Sequence, residues 1–577
     1  MPSYNEWLES VGAEAPKVQI QELEDGQRGL FASRDIFGGE RILYVPSRAL
    51  LSEGRIQIEG SRVLEIFQRG TNGENEQPIT REQRVAAMIE ELHRLILGTT
   101  GEASLVQMTA QSMQYSWRGD DAVALYLIAC RKALLAEPES EPSLLLEQEA
   151  LAASDVVGPS EDAEPVMVQD VIPIVEEDGD DDELPGEPNG ETLVTGATVE
   201  EADDSFPPFL PHVAMLPKSY PTNPLYFEEE ELSRMEGTNC CEFTKRMSVQ
   251  MESDWMILSA ILRAYLVMDD RLVQSTEDEE DLMPWDPNED FELYKWALST
   301  IYSRSTDFFV KKGHRRVIAP LFDMMNHDFE SDVAHDMDPE GNLSVFAGSD
   351  IASGSEIFLK YGSFPNEKLL LVYGFAVHPN PYDAVQIYAP IPPTDPLYSE
   401  KAQLLNTKCG VLDPNTPYTL RLNEPIPESL LSALRLVGMQ SEEELAVAAA
   451  SAESSAVGAV SPENEHNALV ALNQALHTMA RRLALNLISD ENLHAASGIN
   501  PIINQNTMRG TSAPTAAPSQ VLQAVAESET TSNAVNPNTV NCKILCQSEY
   551  LILQSALTEL SARIELLQHP ERELTAQ

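Results

Sequence analysis

The sequence predicts an α+β fold in which a β-rich domain is split by a helical insertion and followed by a mostly helical half. Three observations carry this. Short β-prone runs stand at both ends of the first 380 or so residues: LFAS (30–33) and RILYVP (41–46) early, RRVIAPLF (315–322), NLSVFA (342–347) and SEIFLKYG (355–362) late. Between the two groups the apolar spacing is helical. After about Tyr382 the spacing stays helical to the end.

From Val18 to Pro46 the strand runs are separated by Gly38-Gly39, a turn signal. Helical spacing begins at Arg81 and runs to about Ala136, where Val123, Leu127, Cys130 and Leu134 fall on one helix face. No Lys or Arg occurs between Lys132 and Lys218, and EEDGDDDELPGEP (176–188) concentrates the acid. Such a stretch cannot bury enough apolar surface to offset its ordering entropy, so 138–205 is expected to be a disordered surface loop. Helices are expected over Glu228–Met268 and Phe291–Tyr302, with an acidic loop, 275–290, between them. In the last third, Leu469, Leu472, Leu476, Met479, Leu483 and Leu487 form one apolar stripe, and Leu553, Leu557, Leu560, Ile564 and Leu567 another. The Ala/Ser-rich 446–461 and Ser/Thr/Asn/Pro-rich 508–541 read as flexible loops. The expected division is 1–80 and 301–380 for the split β-rich domain, 81–300 for the insertion and 381–577 for the helical domain.

Composition bounds the function. The chain carries 93 acidic against 38 basic side chains, a net charge of -55. That surface repels phosphate backbones, which argues against nucleic acid as a partner. Six cysteines in no even framework and with no CxxC pair point to free thiols in a reducing compartment. Cys542 and Cys546, four apart, share a helix face and read as packing residues. No run of 18 apolar residues suggests a membrane span, and MPSYNEWLES has neither the basic nor the apolar region of a secretory signal. The expectation is a monomer of the cytoplasm or nucleus.

GxxxxGK[ST], GxGxxG after a strand, GxSxG and HExxH are all missing. The densest set of reactive side chains is PLFDMMNHDFESDVAHDMD (320–338), with Asp323, Asn326, His327, Asp328, Asp332, His335 and Asp336. Clustered carboxylates and imidazoles could hold a hard divalent cation, so a metal-dependent hydrolase built on 323–336 is one reading.

A different reading emerges from the neighbouring segments. DGQRGLFASRDI (25–36), KWALSTIYSRS (295–305), IAPLFDMMNHD (318–328) and GSEIFLKYGSFPNEKLLLVYGF (354–375) occur in that order. Together they resemble the SET-domain family, in the branch that contains the Rubisco large-subunit lysine methyltransferase and the actin-histidine methyltransferase. LPHVAMLPKSYPTNPLYFEEEEL (210–232) is similar to that branch's helical insertion, and the residues after 382 to its substrate-binding domain.

The resemblance implies S-adenosyl-L-methionine as cofactor and a protein substrate. It assigns Gly26, Gln27, Arg28 and Gly29 to a turn whose backbone meets the cofactor, with no room for a Cβ at Gly29. It assigns Arg304 to the cofactor carboxylate, where a planar guanidinium gives a bidentate grip. Asp323, Asn326 and His327 would hold the cofactor's amino-acid and adenine portions. Tyr361 would be the catalytic tyrosine as well as a cofactor contact, and Tyr373 a further wall of the site. The implied function is methyl transfer to a side chain of a non-histone protein, lysine being favoured, and no metal is needed because a sulfonium is already activated. The Cys-rich tail of many histone-directed SET enzymes is absent. Thr306 stands two residues after Arg304, where the histidine-directed member resembles an Asn-bearing version, which weighs against a histidine target. A histidine-directed enzyme and a catalytically silent binding module are nonetheless compatible with the same segments. The acidic body would favour a substrate with a basic segment.

Overall fold

The computed structural model describes residues 3–23, 28–69, 79–99, 104–136, 208–268, 284–310, 313–450, 456–495 and 536–568. The expected disordered loop at 138–205, most of the acidic loop at 275–290 and most of the tract at 508–541 lie outside them.

Strands form at β-prone runs near both ends of the split domain, and two more, Ser305–Val310 and Ala334–Met337, form where none was expected. β1 (Val18–Glu22) pairs antiparallel with β2 (Arg28–Ala32), Val18 facing Ala32 and Glu22 facing Arg28. β3 (Arg41–Val45) pairs with β7 (Leu343–Phe346), and β7 pairs with β6 (Ala334–Met337), so one three-stranded sheet joins the two ends of the split domain. β4 (Ser305–Val310) and β5 (Gly313–Ile318) form a hairpin. Single bridges close the domain further: Phe31 with Glu356, Ile36 with Ile351, Leu51 with Ile318 and His327 with Leu359. The run SEIFLKYG is therefore held by isolated bridges rather than as a full strand.

Helix begins before the expected insertion, at Glu53–Arg69, and continues through it as Arg81–Leu97, Leu105–Ser112, Gly119–Ala136, Asn239–Met268 and Phe291–Arg304. Local chemistry sets several ends. Thr80 and Gln83 form a capping box at the start of Arg81–Leu97, and Gly98 ends it at φ 71°, a left-handed conformation that glycine adopts without a Cβ clash. The expectation of a one-sided helix fails for Gly119–Ala136. Every residue from Asp121 to Cys130 is buried, because this helix is covered on all sides, and its mixed apolar and small residues do not reveal a face.

Two apolar cores result. One gathers the strands of the split domain and the insertion helices around Trp7, Tyr126, Trp285 and Tyr294. The other joins β8 (Val385–Ile387), β9 (Tyr418–Leu420) and the C-terminal helices to Leu370, Leu371, Cys240 and Cys241. The two expected leucine stripes lie on the helices Pro462–Ala495 and Pro537–Gln568, with Leu469, Leu472, Leu476, Leu483, Leu553, Leu557 and Leu560 buried. Cys542 and Cys546 are buried on the latter helix, as their spacing suggested. The loop expected at 446–461 is shorter: the helix Glu442–Ala449, opened by a Ser441–Glu444 capping box, occupies its start, and Val457 is buried beyond it.

Candidate active site

The site lies where the two halves of the split domain meet. Arg304 is the last residue of the helix Phe291–Arg304, so its side chain leaves the helix end just before β4 begins. Its Nη1 donates to the Asp323 carbonyl at 2.6 Å and lies 3.6 Å from Asp323 Oδ2. Asp323 sits in the short turn Phe322–Met324 that follows β5. That turn is launched by Leu321 at φ 66° and ψ −44°, a conformation that costs a branched residue of order 1–3 kcal/mol and persists only when the surroundings hold it. Both carboxylate oxygens of Asp323 and Arg304 Nε are buried without a hydrogen-bond partner. A guanidinium and a carboxylate thus lie side by side with buried atoms that lack hydrogen-bond partners, which is costly unless a ligand completes them.

Residues 326–328 run beside 357–361. Leu359 N–H donates to the Asn326 carbonyl at 2.8 Å, and Asp328 N–H to the Leu359 carbonyl at 3.2 Å. The Asn326 amide donates to Glu356 Oε1 at 2.7 Å and to the Arg28 carbonyl at 3.3 Å. His327 Nδ1 lies 3.1 Å from the Tyr361 N–H and 3.2 Å from the Leu359 carbonyl. The Tyr361 N–H is an obligate donor, so Nδ1 accepts from it and the ring proton sits on Nε2, which is buried and unpartnered.

Tyr361 donates its hydroxyl to the Met325 carbonyl at 2.7 Å. Its ring stacks on His327 with centroids 5.1 Å apart and packs against Tyr373 at 4.7 Å, while Phe375 stands 6.5 Å away. Burial pushes the Tyr361 hydroxyl up to about 12, with Arg304 opposing and Asp323 and Glu356 reinforcing the shift. It therefore stays a neutral phenol at physiological pH.

The remaining expected residues are placed differently. Gly26 and Gln27 lie outside the described residues. Arg28 meets the site with its carbonyl, while its guanidinium turns away to the Met215 carbonyl at 2.9 Å. Gly29 lies in strand β2 rather than in a turn. A Cβ there would stand 2.4 Å from Glu356 Oε1 and 3.2 Å from Asn326 Nδ2, so a side chain at this position would push the Glu356 carboxylate from its place beside Asn326. The metal cluster considered for 323–336 does not assemble: His335 packs against Phe322 and Phe308 at 5.1 and 5.7 Å, and Asp332 and Asp336 are exposed. Among the described residues no three such side chains are placed to hold a metal ion. Sequence reasoning missed Glu356, an acidic residue inside the β-prone run SEIFLKYG, and His212, whose Nε2 lies 3.7 Å from Asp323 Oδ2.

Burial holds both His212 and His327 below the ordinary histidine value, Asp323 opposing this at His212 and the Leu359 carbonyl at His327. The unfolded chain therefore takes up protons that the folded chain resists. Their contribution to stability is complete above about pH 6.5 and is lost as pH falls through the depressed folded values. Thermal melts from pH 7.5 to 5 should show Tm falling by roughly a few degrees, and His212→Gln should flatten that dependence.

These four segments and their geometry define a SET domain, and the chain belongs to that family: the SET domain family model matches residues 27–362. A second family model, Rubisco LSMT substrate-binding, matches residues 392–513. Among similar proteins are the actin-histidine N-methyltransferases of Xenopus tropicalis, 28% identical over 256 residues, and Danio rerio, 27% identical over 255 residues. Each match covers 44% of this chain, and 41% and 40% of those proteins, so the chain spans about two-fifths of the relatives it matches. The fold is also that of the SET domain of LSMT bound to lysine and AdoHcy, with a TM-score of 0.56 and 15% identity over 99% of this chain and 94% of that one. No helix among the described residues is long and apolar enough to cross a membrane.

Proposed function

We propose that this chain is an S-adenosyl-L-methionine-dependent protein methyltransferase acting on a lysine side chain of a non-histone protein. The observation that carries this is the clustering of Arg304, Asp323, Asn326, His327 and Tyr361 where the two halves of the split domain meet, with buried atoms of Arg304 and Asp323 left without hydrogen-bond partners. The donor set fits the cofactor. A guanidinium and a carboxylate side by side complement the carboxylate and ammonium of its amino-acid end. When bound there, the cofactor supplies an electrophilic methyl on a sulfonium.

The chain's own residues then have three tasks. Asn326, held by Glu356 and the Arg28 carbonyl, and His327, held by the Tyr361 N–H, fix the wall between the two halves of the domain. Tyr361 engages its proton with Met325, so its oxygen presents lone pairs and can accept from the N–H of an incoming amine. Tyr361, Tyr373, Phe364 and Phe375 line the approach with aromatic surface. Such surface favours the neutral amine that displacement requires; at pH 7 deprotonating lysine costs about 4.6 kcal/mol. Holding the reactants in line supplies most of the remaining rate gain.

The substrate reading includes a basic segment. Phe329, against His327 and Tyr382, is flanked by Asp328 and Glu330, and Asp332 follows. Raising salt from about 0.05 to 0.5 M should weaken methylation of a protein acceptor several-fold and leave cofactor affinity unchanged, because exposed charges are screened within about 10 Å at 0.1 M.

The names of the similar proteins favour a second reading, a histidine acceptor. One experiment tests both: labelled cofactor is incubated with a lysate and the modified residue is identified by mass spectrometry. Label on lysine that disappears with Tyr361→Phe supports the proposal, label on histidine supports the second reading, and no Tyr361-dependent label contradicts both.

A further inference from the structure

Behind Asp323 lies a buried chain of polar groups that the reaction as described does not use. His212, on the short helix Leu210–Met215, is fully buried. Its ring stacks on Trp7 and Tyr4, with centroids 5.9 and 6.1 Å apart and the planes 16° and 24° from parallel. Its Nδ1 lies 3.2 Å from the Tyr4 hydroxyl, and its Nε2 lies 3.7 Å from Asp323 Oδ2 and is otherwise unpartnered. Tyr4 begins the helix Tyr4–Val11, which Ser3 and Glu6 anchor with a capping box. Leu321, at φ 66° and ψ −44°, stands at the start of the turn that carries Asp323.

The proton directions follow. A carboxylate only accepts, so the Nε2 that faces Asp323 carries the ring hydrogen, and Nδ1 takes its hydrogen bond from the Tyr4 hydroxyl. A neutral imidazole that accepts at Nδ1 carries its hydrogen on Nε2, the atom facing Asp323. Burial keeps the ring neutral at physiological pH. Asp323 is thus flanked by Arg304 on one side and a neutral N–H donor on the other, and neither is within hydrogen-bond distance of its carboxylate oxygens. The carboxylate is steadied, and its lone pairs remain free for a third group.

We propose that His212, oriented by Tyr4, is a positioning residue that holds the Asp323 carboxylate in place for the ammonium group of the cofactor. The inference rests on the methyltransferase reading, since it is that reading which brings an ammonium to Asp323. It makes the N-terminal helix and the segment at 210–215 part of the cofactor site, although neither lines it.

The test is calorimetric binding of two nucleosides to the full chain: S-adenosylhomocysteine, which has the amino-acid end, and 5′-methylthioadenosine, which lacks it. His212→Phe keeps a stacking ring and removes the N–H. It should weaken S-adenosylhomocysteine about tenfold and leave methylthioadenosine unchanged, because only the former brings an ammonium group to the carboxylate that His212 positions. His212→Gln, whose amide can donate from nearly the same place, should restore binding to within about twofold of wild type. Tyr4→Phe should show the same selective loss to a smaller degree, which keeps the test decisive where His212→Phe does not fold. Equal weakening of both nucleosides, or no weakening of either, overturns the positioning role and leaves the methyltransferase reading standing. Failure of the wild type to bind either nucleoside overturns that reading and this proposal with it.

Discussion

Replacing Tyr361 with phenylalanine should lower methyl transfer by about a hundredfold or more while cofactor affinity changes little. The ring packing on His327 and Tyr373 survives the change, so the walls of the site stay in place. What is lost is the hydroxyl, which is anchored on the Met325 carbonyl and presents its lone pairs to the acceptor. Misplacing a nucleophile by an ångström or removing one aimed polar group typically costs 10²–10³ in rate. Because the hydroxyl is held near 12, the variant should not alter the pH profile below that value. Single-turnover rates together with calorimetry separate the two quantities. A variant that keeps wild-type turnover would remove Tyr361 from the mechanism.

The pH dependence of kcat/KM is the second large effect, and it separates the two acceptors. This parameter reports the ionisation of the free reactants. A free lysine is almost wholly protonated at neutral pH, so kcat/KM should rise about tenfold per pH unit, roughly a hundredfold from pH 7 to 9. A histidine acceptor is already neutral above about pH 7.5, and its profile should be flat over the same range. Tyr361 adds no limb there because burial keeps it protonated. A slope near one supports the lysine reading, and a plateau supports the histidine reading.

How far the sequence alone led depends on what kind of group each contact uses. Arg304, Asp323, Asn326, His327 and Tyr361 were legible because four short segments occur in a fixed order with side chains that carry the chemistry themselves. The Met325 carbonyl that orients Tyr361 and the Arg28 carbonyl that holds Asn326 were not, since a backbone carbonyl leaves no residue signature. Gly29 was expected in a cofactor-facing turn but lies in a strand, where its close neighbour is Glu356, 327 residues away in sequence, through a pairing that only the folded domain reveals. His212 and Tyr4 were silent for the same cause. Each looks like an ordinary core residue until the N-terminal helix, the insertion and the Asp323 turn are brought together.

The fold shows the same division. Strand β3 and its partner β7 were each readable from local alternation, but their pairing across some 300 residues was not. The helix Gly119–Ala136 defeats the periodicity argument because a helix buried all round has no polar face to set the phase. The leucine stripes of the C-terminal helices keep a solvent side and were read correctly.

The most direct test of the account is calorimetric titration of the purified chain with S-adenosylmethionine, beside the same titration of Asn326→Ala. The substitution removes the amide that donates to both Glu356 and the Arg28 carbonyl, and leaves Glu356 unpaired next to Gly29. Stoichiometric binding by the wild type that weakens at least about tenfold in Asn326→Ala is the predicted result. Absence of binding by the wild type, or equal binding by the two proteins, would contradict the assignment of this site to the cofactor.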